Sequence, residues 1–215
     1  MIEEFAQVLA RIRSLKKEQR LEEARETLDA EFRHLVELTP EGLLQLSETE
    51  LLAHLIRTES TLVVREKVLI LSTLLKEAGD VAAAGENAGQ ARVLYLKGLH
   101  LLLNALGQND GFELPEFVPQ IDVFVAALSE QPLPTQTYGQ LMQHFERTGQ
   151  YAKAEDALFS ILEQEQEHAG IFDFGICFYQ RLQSQPDSRL EEGNLPRAEV
   201  VSGLAELRRR QSQPA

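Results

Sequence analysis

The stretch YGQLMQHFERTGQYAKAEDALFSILE, residues 138–163, decides the fold of this chain. Its apolar and small side chains recur three and four residues apart, on either side of a glycine: Tyr138, Leu141, Met142, Phe145, Ala154 and Leu158. This spacing puts them on one face of each of two helices. Gly149 suits the left-handed backbone that commonly ends a helix. The stretch therefore predicts two helices that pack together, with Ala154 where they approach most closely.

This series resembles a tetratricopeptide repeat, in which aromatic, leucine and small residues recur in this order. It departs from the repeat pattern at Met142, where a small residue is usual, and at Gln166, where a proline is usual. The N-terminus carries a weaker copy of the same series, which Arg11 interrupts: Val8, Arg11, Ile12, Leu15, Ala24 and Leu28. The resemblance implies antiparallel helix pairs stacked into a right-handed α-α superhelix.

The whole chain also resembles a bacterial family of uncharacterised helical proteins with a tetratricopeptide-like fold. The resemblance lies in the start FAQVLARI, the pair LPTQTYGQLMQHFERTGQYAKAEDALFSIL and the closing EGNLPRAEVVSGLAEL. It covers nearly the full length of the chain and implies no known activity.

Helical periodicity runs along most of the chain, whereas the alternation typical of strands is almost absent. We expect an all-α fold of about ten helices with short connections. The stretch 38–57 is expected to form a short turn of helix and then another helix, and the last helix begins in the stretch that starts at residue 194. The other helices are expected at 2–18, 20–37, 60–78, 90–106, 116–129, 135–148, 151–167 and 170–184. The segment 79–90 is compatible with a loop or with the start of a helix, and 184–194 is predicted to be a polar loop. We expect a single domain over 1–210 and a frayed tail at 211–215.

Three helix starts carry recognisable capping residues. Thr39 precedes Pro40, which suits the first helical position. Ser47 with Glu50 forms the pattern of a capping box, in which each residue bonds to the backbone of the other. Asn194 or a neighbour is expected to cap the last helix, with Pro196 in its first turn.

The formal net charge of −13 argues against nucleic acid and anionic membranes as partners, because binders of these are usually basic. The single cysteine, Cys177, allows no internal disulfide and favours a reducing compartment. The N-terminus lacks the features of a signal peptide, and no apolar run is long enough to span a bilayer. We therefore expect a cytoplasmic protein.

No motif predicts an active site, a metal site or a bound cofactor. The five histidines do not form the pairs at metal-ligand spacing that zinc sites use. Cys177 lies in the apolar run IFDFGICFY, where a buried, inert thiol is the usual case. The many glutamates are best explained as solvated helix faces with ion pairs along each helix. We expect no enzymatic activity and no cofactor.

The remaining candidate site is a surface, because tetratricopeptide arrays bind extended peptides in a groove lined by the first helix of each pair. Repeat spacing assigns seven polar residues to this groove: Arg13, Lys16, Lys17, Gln136, Gln143, Glu146 and Arg147. The three cations could bind an acidic tail or a terminal carboxylate. The alternative is that all seven are ordinary solvated positions.

We therefore expect a non-enzymatic scaffold that binds a protein or a peptide, including a second copy of itself. Two alternatives remain open. One is a homo-oligomeric structural protein that associates through an apolar face at 90–106 or 170–184. The other is a small-molecule-binding or enzymatic helical domain, with a closed pocket around His100, Cys177 or the glutamate-rich faces.

Overall fold

The computed structural model describes residues 2–38, 40–56, 61–107, 114–164 and 169–212. Every regular element in these ranges is a helix, which confirms the all-α prediction. The twelve helices are α1 (Ile2–Lys17), α2 (Leu21–Val36), α3 (Pro40–Gln45), α4 (Glu48–Ile56), α5 (Thr61–Ala84), α6 (Ala88–Gly107), α7 (Ile121–Ala127), α8 (Thr135–Arg147), α9 (Tyr151–Gln164), α10 (Ala169–Gln183), α11 (Asp187–Glu192) and α12 (Arg197–Gln211). Thr39, Gln166 and His168 lie outside the described residues.

The chain divides into two compact units, residues 1–132 (unit 1) and 133–215 (unit 2). Unit 1 contains α1 to α7, and unit 2 contains α8 to α12. The expectation of one domain over 1–210 with a tail at 211–215 stays a prediction, as does the right-handed superhelix.

Unit 1 is built around the long pair formed by α5 and α6, against which α1, α2, α4 and α7 pack. Glycines bring neighbouring elements close together. A Cβ atom on Gly79 would lie 2.4 Å from the Tyr95 ring, and one on Gly98 would lie 2.7 Å from the Phe124 ring. The Ser72 hydroxyl donates a hydrogen bond of 2.7 Å to the Gly98 carbonyl, so this contact also satisfies a buried polar side chain.

The segment 79–90, which the sequence leaves open, contains the end of one helix and the start of the next. α5 continues through Ala84, and Glu86 turns the chain with a φ of +61°. The Asn87 side chain then accepts a hydrogen bond of 3.1 Å from the Gln90 backbone N–H. Asn87 therefore caps α6, because this bond satisfies one of the donors that a helix start leaves unpaired.

Unit 2 holds the predicted hairpin. Leu141, Met142 and Phe145 of α8 are buried, as are Ala154 and Leu158 of α9. Gly149 between the two helices has a φ of +75°, in the left-handed region that the sequence predicts. The predicted packing of residues 138–163 is therefore confirmed. In the rest of unit 2, α10 packs against α12.

The capping box at Ser47 is also confirmed. The Ser47 backbone N–H donates to the Glu50 carboxylate at 2.8 Å, and the Glu50 N–H donates to the Ser47 hydroxyl oxygen at 3.2 Å. By contrast, α12 begins at Arg197, so Pro196 precedes the helix and does not lie in its first turn. Asn194 adopts a left-handed backbone with a φ of +56° in the turn before it.

Two predictions of local structure were wrong. The helix expected at 116–129 spans only Ile121–Ala127, because Pro119 disfavours a helical backbone at the residue before it. The expected loop at 184–194 contains α11, whose Leu190 is completely buried. α11 is only six residues long, and such a short element leaves little periodicity in the sequence.

Candidate functional site

The cations predicted on the first helix are largely engaged within the protein. The Arg13 guanidinium lies 3.0 Å from the carboxylate of Glu77 on α5, and the Lys16 ammonium contacts both Glu77 and Asp80. Glu77 is only 1% exposed, so its charge requires these partners. Lys17 is exposed. Arg13 and Lys16 therefore help to hold α1 on α5.

Asp80 is the second anion of this cluster. Lys76 donates a hydrogen bond of 2.7 Å to the Asp80 carboxylate, and the Tyr95 hydroxyl donates one of 2.9 Å to the same carboxylate. Burial raises the pKa of Asp80, but hydrogen bonds from Lys16 and Lys76 outweigh burial and keep this pKa below its ordinary value. Burial, and then the nearby Asp80 charge, raise the pKa of Tyr95. The cluster is a charge-compensated structural contact.

The residues predicted on α8 have a different environment. Gln143, Glu146 and Arg147 line a surface cleft of about 630 Å³ in unit 2, and we call it the α8 cleft. Gln136 does not line the cleft. The other lining residues come from the turn after α8, the start of α9, the end of α10 and α11: Thr148, Gly149, Gln150, Tyr151, Leu182, Gln185, Arg189 and Glu192.

One wall of the α8 cleft is held by an ion pair between two helices. Arg181 of α10 donates two hydrogen bonds to the Glu146 carboxylate, of 2.6 and 2.7 Å. Such bidentate pairs fix the orientation of both side chains. The hydrogen bond to Glu146 raises the pKa of Arg181, and burial only partly opposes it. The negative charge of Glu146 is therefore compensated at the cleft wall.

A close backbone contact fixes the base of the cleft. The Ala152 N–H donates a hydrogen bond of 3.0 Å to the Gly193 carbonyl. A Cβ atom on Gly193 would lie 2.5 Å from the Gly149 carbonyl oxygen and 2.4 Å from the Tyr151 ring. This contact joins the end of α11 to the turn between α8 and α9, so the two sides of the cleft keep their spacing.

The α8 cleft is rich in groups that can pair with a peptide. Gln143, Gln150 and Gln185 supply amides, which both donate and accept hydrogen bonds. One of these groups is already engaged, since the Gln150 amide donates to the Thr148 hydroxyl at 2.9 Å. Arg189 and Glu192 are exposed and add one charge of each sign.

Sequence reasoning found one side of this cleft and missed the other. Gln185, Arg189 and Glu192 lie in the segment predicted to be a polar loop. The one available signal is Leu190, an apolar residue within a polar run, which indicates a helical turn docked on the core. Which helix that turn would face cannot be read from periodicity, because it depends on contacts between distant segments.

The described ranges were also searched for groups of side chains that could hold a metal ion. No cluster of three His, Cys, Asp or Glu side chains there could hold a metal ion. The Tyr179 hydroxyl of α10 donates a hydrogen bond of 2.5 Å to the Glu155 carboxylate of α9, and neither residue lines the cleft. Cys177 is exposed on α10, so the prediction of a buried thiol was wrong. Its neighbour Phe178 occupies the core-facing position instead.

A protein-family model matches residues 1–212 of the chain. The chain belongs to DUF6483, a family of unknown function. This confirms the expectation of an uncharacterised family, and the likeness of DUF6483 to tetratricopeptide repeats stays a prediction. No curated protein and no solved structure matches this DUF6483 chain. Among its described helices, none combines the length and apolarity needed to cross a bilayer.

Proposed function

We propose that this DUF6483 protein is a non-enzymatic scaffold that binds an extended segment of a partner protein in the α8 cleft. The proposal includes a tetratricopeptide-like arrangement of the helix pairs and a cytoplasmic location. One observation carries it: repeat spacing assigns Gln143, Glu146 and Arg147 to a binding groove, and these three residues line one surface cleft of unit 2.

The size and chemistry of the cleft suit a peptide. Pockets that hold ligands commonly enclose about 300–1,000 Å³, and the α8 cleft has about 630 Å³. An extended chain advances about 3.3 Å per residue and presents one N–H and one C=O at each step. The amides of Gln143 and Gln185 can pair with these main-chain groups, and Arg189 can bind an acidic side chain of the partner.

The same residues favour binding over catalysis. A general base must be able to reach the substrate, whereas Glu146, the cleft carboxylate on α8, is held by two hydrogen bonds from Arg181. The cleft wall supplies charge compensation and a fixed shape, which are properties of a recognition surface.

Self-association through residues 90–106 has less support as the main function. The leucines of this segment at positions 99, 101, 102 and 103 are each at most 6% exposed within unit 1. Their apolar surface is therefore already used in the core, and little remains for a second copy.

Peptide selection tests the proposal. A phage library of random peptides would be panned on the immobilised full-length protein, and the enriched phage would then be tested on Gln143→Trp, in which the indole fills part of the cleft. Gln143 is exposed, so the folded core should tolerate this change. We expect enriched peptides that lose binding to Gln143→Trp. The proposal fails if no peptide is enriched, or if the enriched peptides bind Gln143→Trp as well as they bind the wild type.

A further inference from the structure

Unit 1 contains a second opening, which lies among α2, α3, α5 and α6. It has a volume of about 290 Å³, and we call it the α2 crevice. Its apolar lining includes Leu21 and Leu44, which are half-buried and keep accessible surface, together with Leu28, Phe32, Leu43 and Leu94, which are each at most 5% exposed. Protein interiors are close-packed and contain few voids larger than a water molecule. An apolar opening of this size therefore offers space for a guest.

The α2 crevice exists because one of its sides is built largely from small residues. Ala78 and Ala82 of α5 lie four residues apart, so they share one helical face toward the opening, and Val81 and Gly85 line the same side. Larger side chains at the two alanines would close it. The crevice is thus set by the sequence of α5 as well as by the packing of α2.

The mouth of the crevice carries an ordered set of charges on α2. Glu22, Arg25 and Asp29 are three and four residues apart, so a cation lies between two anions on the same helical face. Glu22 and Arg25 are exposed, and the amide side chains of Asn87 and Gln90 line the opposite side. A complementary ligand carries a negative and a positive group close together, next to an apolar body.

We propose that the α2 crevice binds a free α-amino acid with a large apolar side chain. The side chain contacts the apolar lining, the carboxylate pairs with the Arg25 guanidinium, and the ammonium group pairs with the Glu22 carboxylate. The volume of about 290 Å³ lies just below the common range for small-molecule pockets, about 300–1,000 Å³, which fits a ligand of this size better than a lipid. The site is in unit 1 and does not depend on peptide binding in the α8 cleft.

Isothermal titration calorimetry on the full-length protein tests this assignment. The probes are L-phenylalanine and L-leucine, with three analogues that each lack one feature: phenethylamine lacks the carboxylate, 3-phenylpropionate lacks the ammonium group, and glycine lacks the side chain. We expect saturable binding of at least one of the two amino acids. Each analogue should bind at least about tenfold more weakly, because it leaves one part of the site unpaired.

Two variants locate the binding. Arg25→Gln should weaken binding of the amino acid at least about tenfold, since the guanidinium and the carboxylate are oppositely charged. Arg33→Gln is the matched control, because Arg33 is exposed on the same helix and does not line the crevice. Ala82→Phe should abolish binding by filling the opening; if it does not fold, as judged by circular dichroism, Arg25→Gln and the analogues decide.

Three results would overturn the proposal. The first is no heat of binding for either amino acid at about 10 mM, where a dissociation constant of 1 mM would give about 90% occupancy. The second is binding that Arg25→Gln leaves unchanged. The third is equal affinity for phenylalanine and one of its analogues, which would assign the crevice to another class of ligand.

Discussion

The Nε atom of Arg13 lies 3.0 Å from a carboxylate oxygen of Glu77, although the two residues are 64 positions apart in the chain. Glu77 is 1% exposed and also contacts Lys16. Glu77 thereby joins α1 to α5 and engages two of the three cations that repeat spacing assigns to a peptide groove. A basic residue at a groove position is thus not by itself available to a partner, since a buried carboxylate can claim it first.

Removal of the Glu77 carboxylate should destabilise unit 1. Removing one partner of a buried ion pair typically lowers the free energy of unfolding by about 3–5 kcal/mol. Because Arg13 and Lys16 are partly exposed, Glu77→Ala should lie near the lower end of this range. Urea denaturation followed by circular dichroism would measure the change. Lys16→Met should destabilise the protein more than Lys17→Met, which alters an exposed neighbour; equal effects of these two variants would contradict the role assigned to the cluster.

The stability that Asp80 contributes should depend on pH in a defined direction. Its pKa is lowered in the folded state, so its contribution is fully present above its unfolded pKa, near 3.8, and is lost as the pH falls through the folded value. Asp80→Asn should therefore be less stable than the wild type at pH 7, and the gap should shrink in acid. Thermal unfolding midpoints between pH 7 and pH 3 would check this, and a gap that widens as the pH falls would refute it.

Glu155 should show the opposite behaviour. Burial raises its pKa, and the hydrogen bond from Tyr179 opposes this only in part. A raised folded-state pKa means that stability is greatest below the unfolded pKa, near 4.5, and is lost as the pH rises through the folded value. Glu155→Gln keeps an oxygen for Tyr179 without the charge, so it should be more stable than the wild type at pH 7. Lower stability of Glu155→Gln at pH 7 would contradict the prediction that the buried carboxylate charge destabilises the folded protein.

Gly193 should not tolerate a side chain. A Cβ atom there would lie 2.5 Å from the Gly149 carbonyl oxygen, so Gly193→Ala forces backbone to move and should cost about 1–3 kcal/mol. Gly139→Ala is the control, because nothing lies within 4 Å of a Cβ atom at that position. Alanine favours a helix interior over glycine by about 0.8–1.0 kcal/mol, so the control should be slightly stabilising. Urea midpoints of the two variants should move in opposite directions.

The sequence was sufficient where local periodicity determines structure. The α8–α9 hairpin, the left-handed Gly149 and the Ser47–Glu50 capping box all depend on residues less than 30 positions apart, and all are present. The segment 79–90 could not be assigned because its alanines and glycines suit both a helix end and a loop. α11 was missed because six residues carry too little periodicity to be recognised.

The candidate site could be predicted only on one side. Gln143 and Arg147 follow from the register of α8, since positions outside its apolar stripe lie on the opposite face of the helix. Arg189 joins them because α11 docks beside the turn between α8 and α9 through Gly193, a contact that no local pattern encodes. The pairing of Arg13 with Glu77 was missed for the same reason.

The affinity of a selected peptide for variants of the α8 cleft tests the central claim most directly. The peptide enriched on the wild-type protein would carry a fluorophore and be titrated by fluorescence anisotropy against wild type, Arg189→Glu and Arg208→Glu. Arg208 is exposed on α12 and does not line the cleft, so it matches the charge change at a distant position. We predict at least about tenfold weaker binding to Arg189→Glu, because the reversal places two like charges together where the peptide carries an acidic side chain, and wild-type affinity for Arg208→Glu. Equal affinity for wild type and Arg189→Glu, or an equal loss in both variants, would contradict the assignment of peptide binding to this cleft.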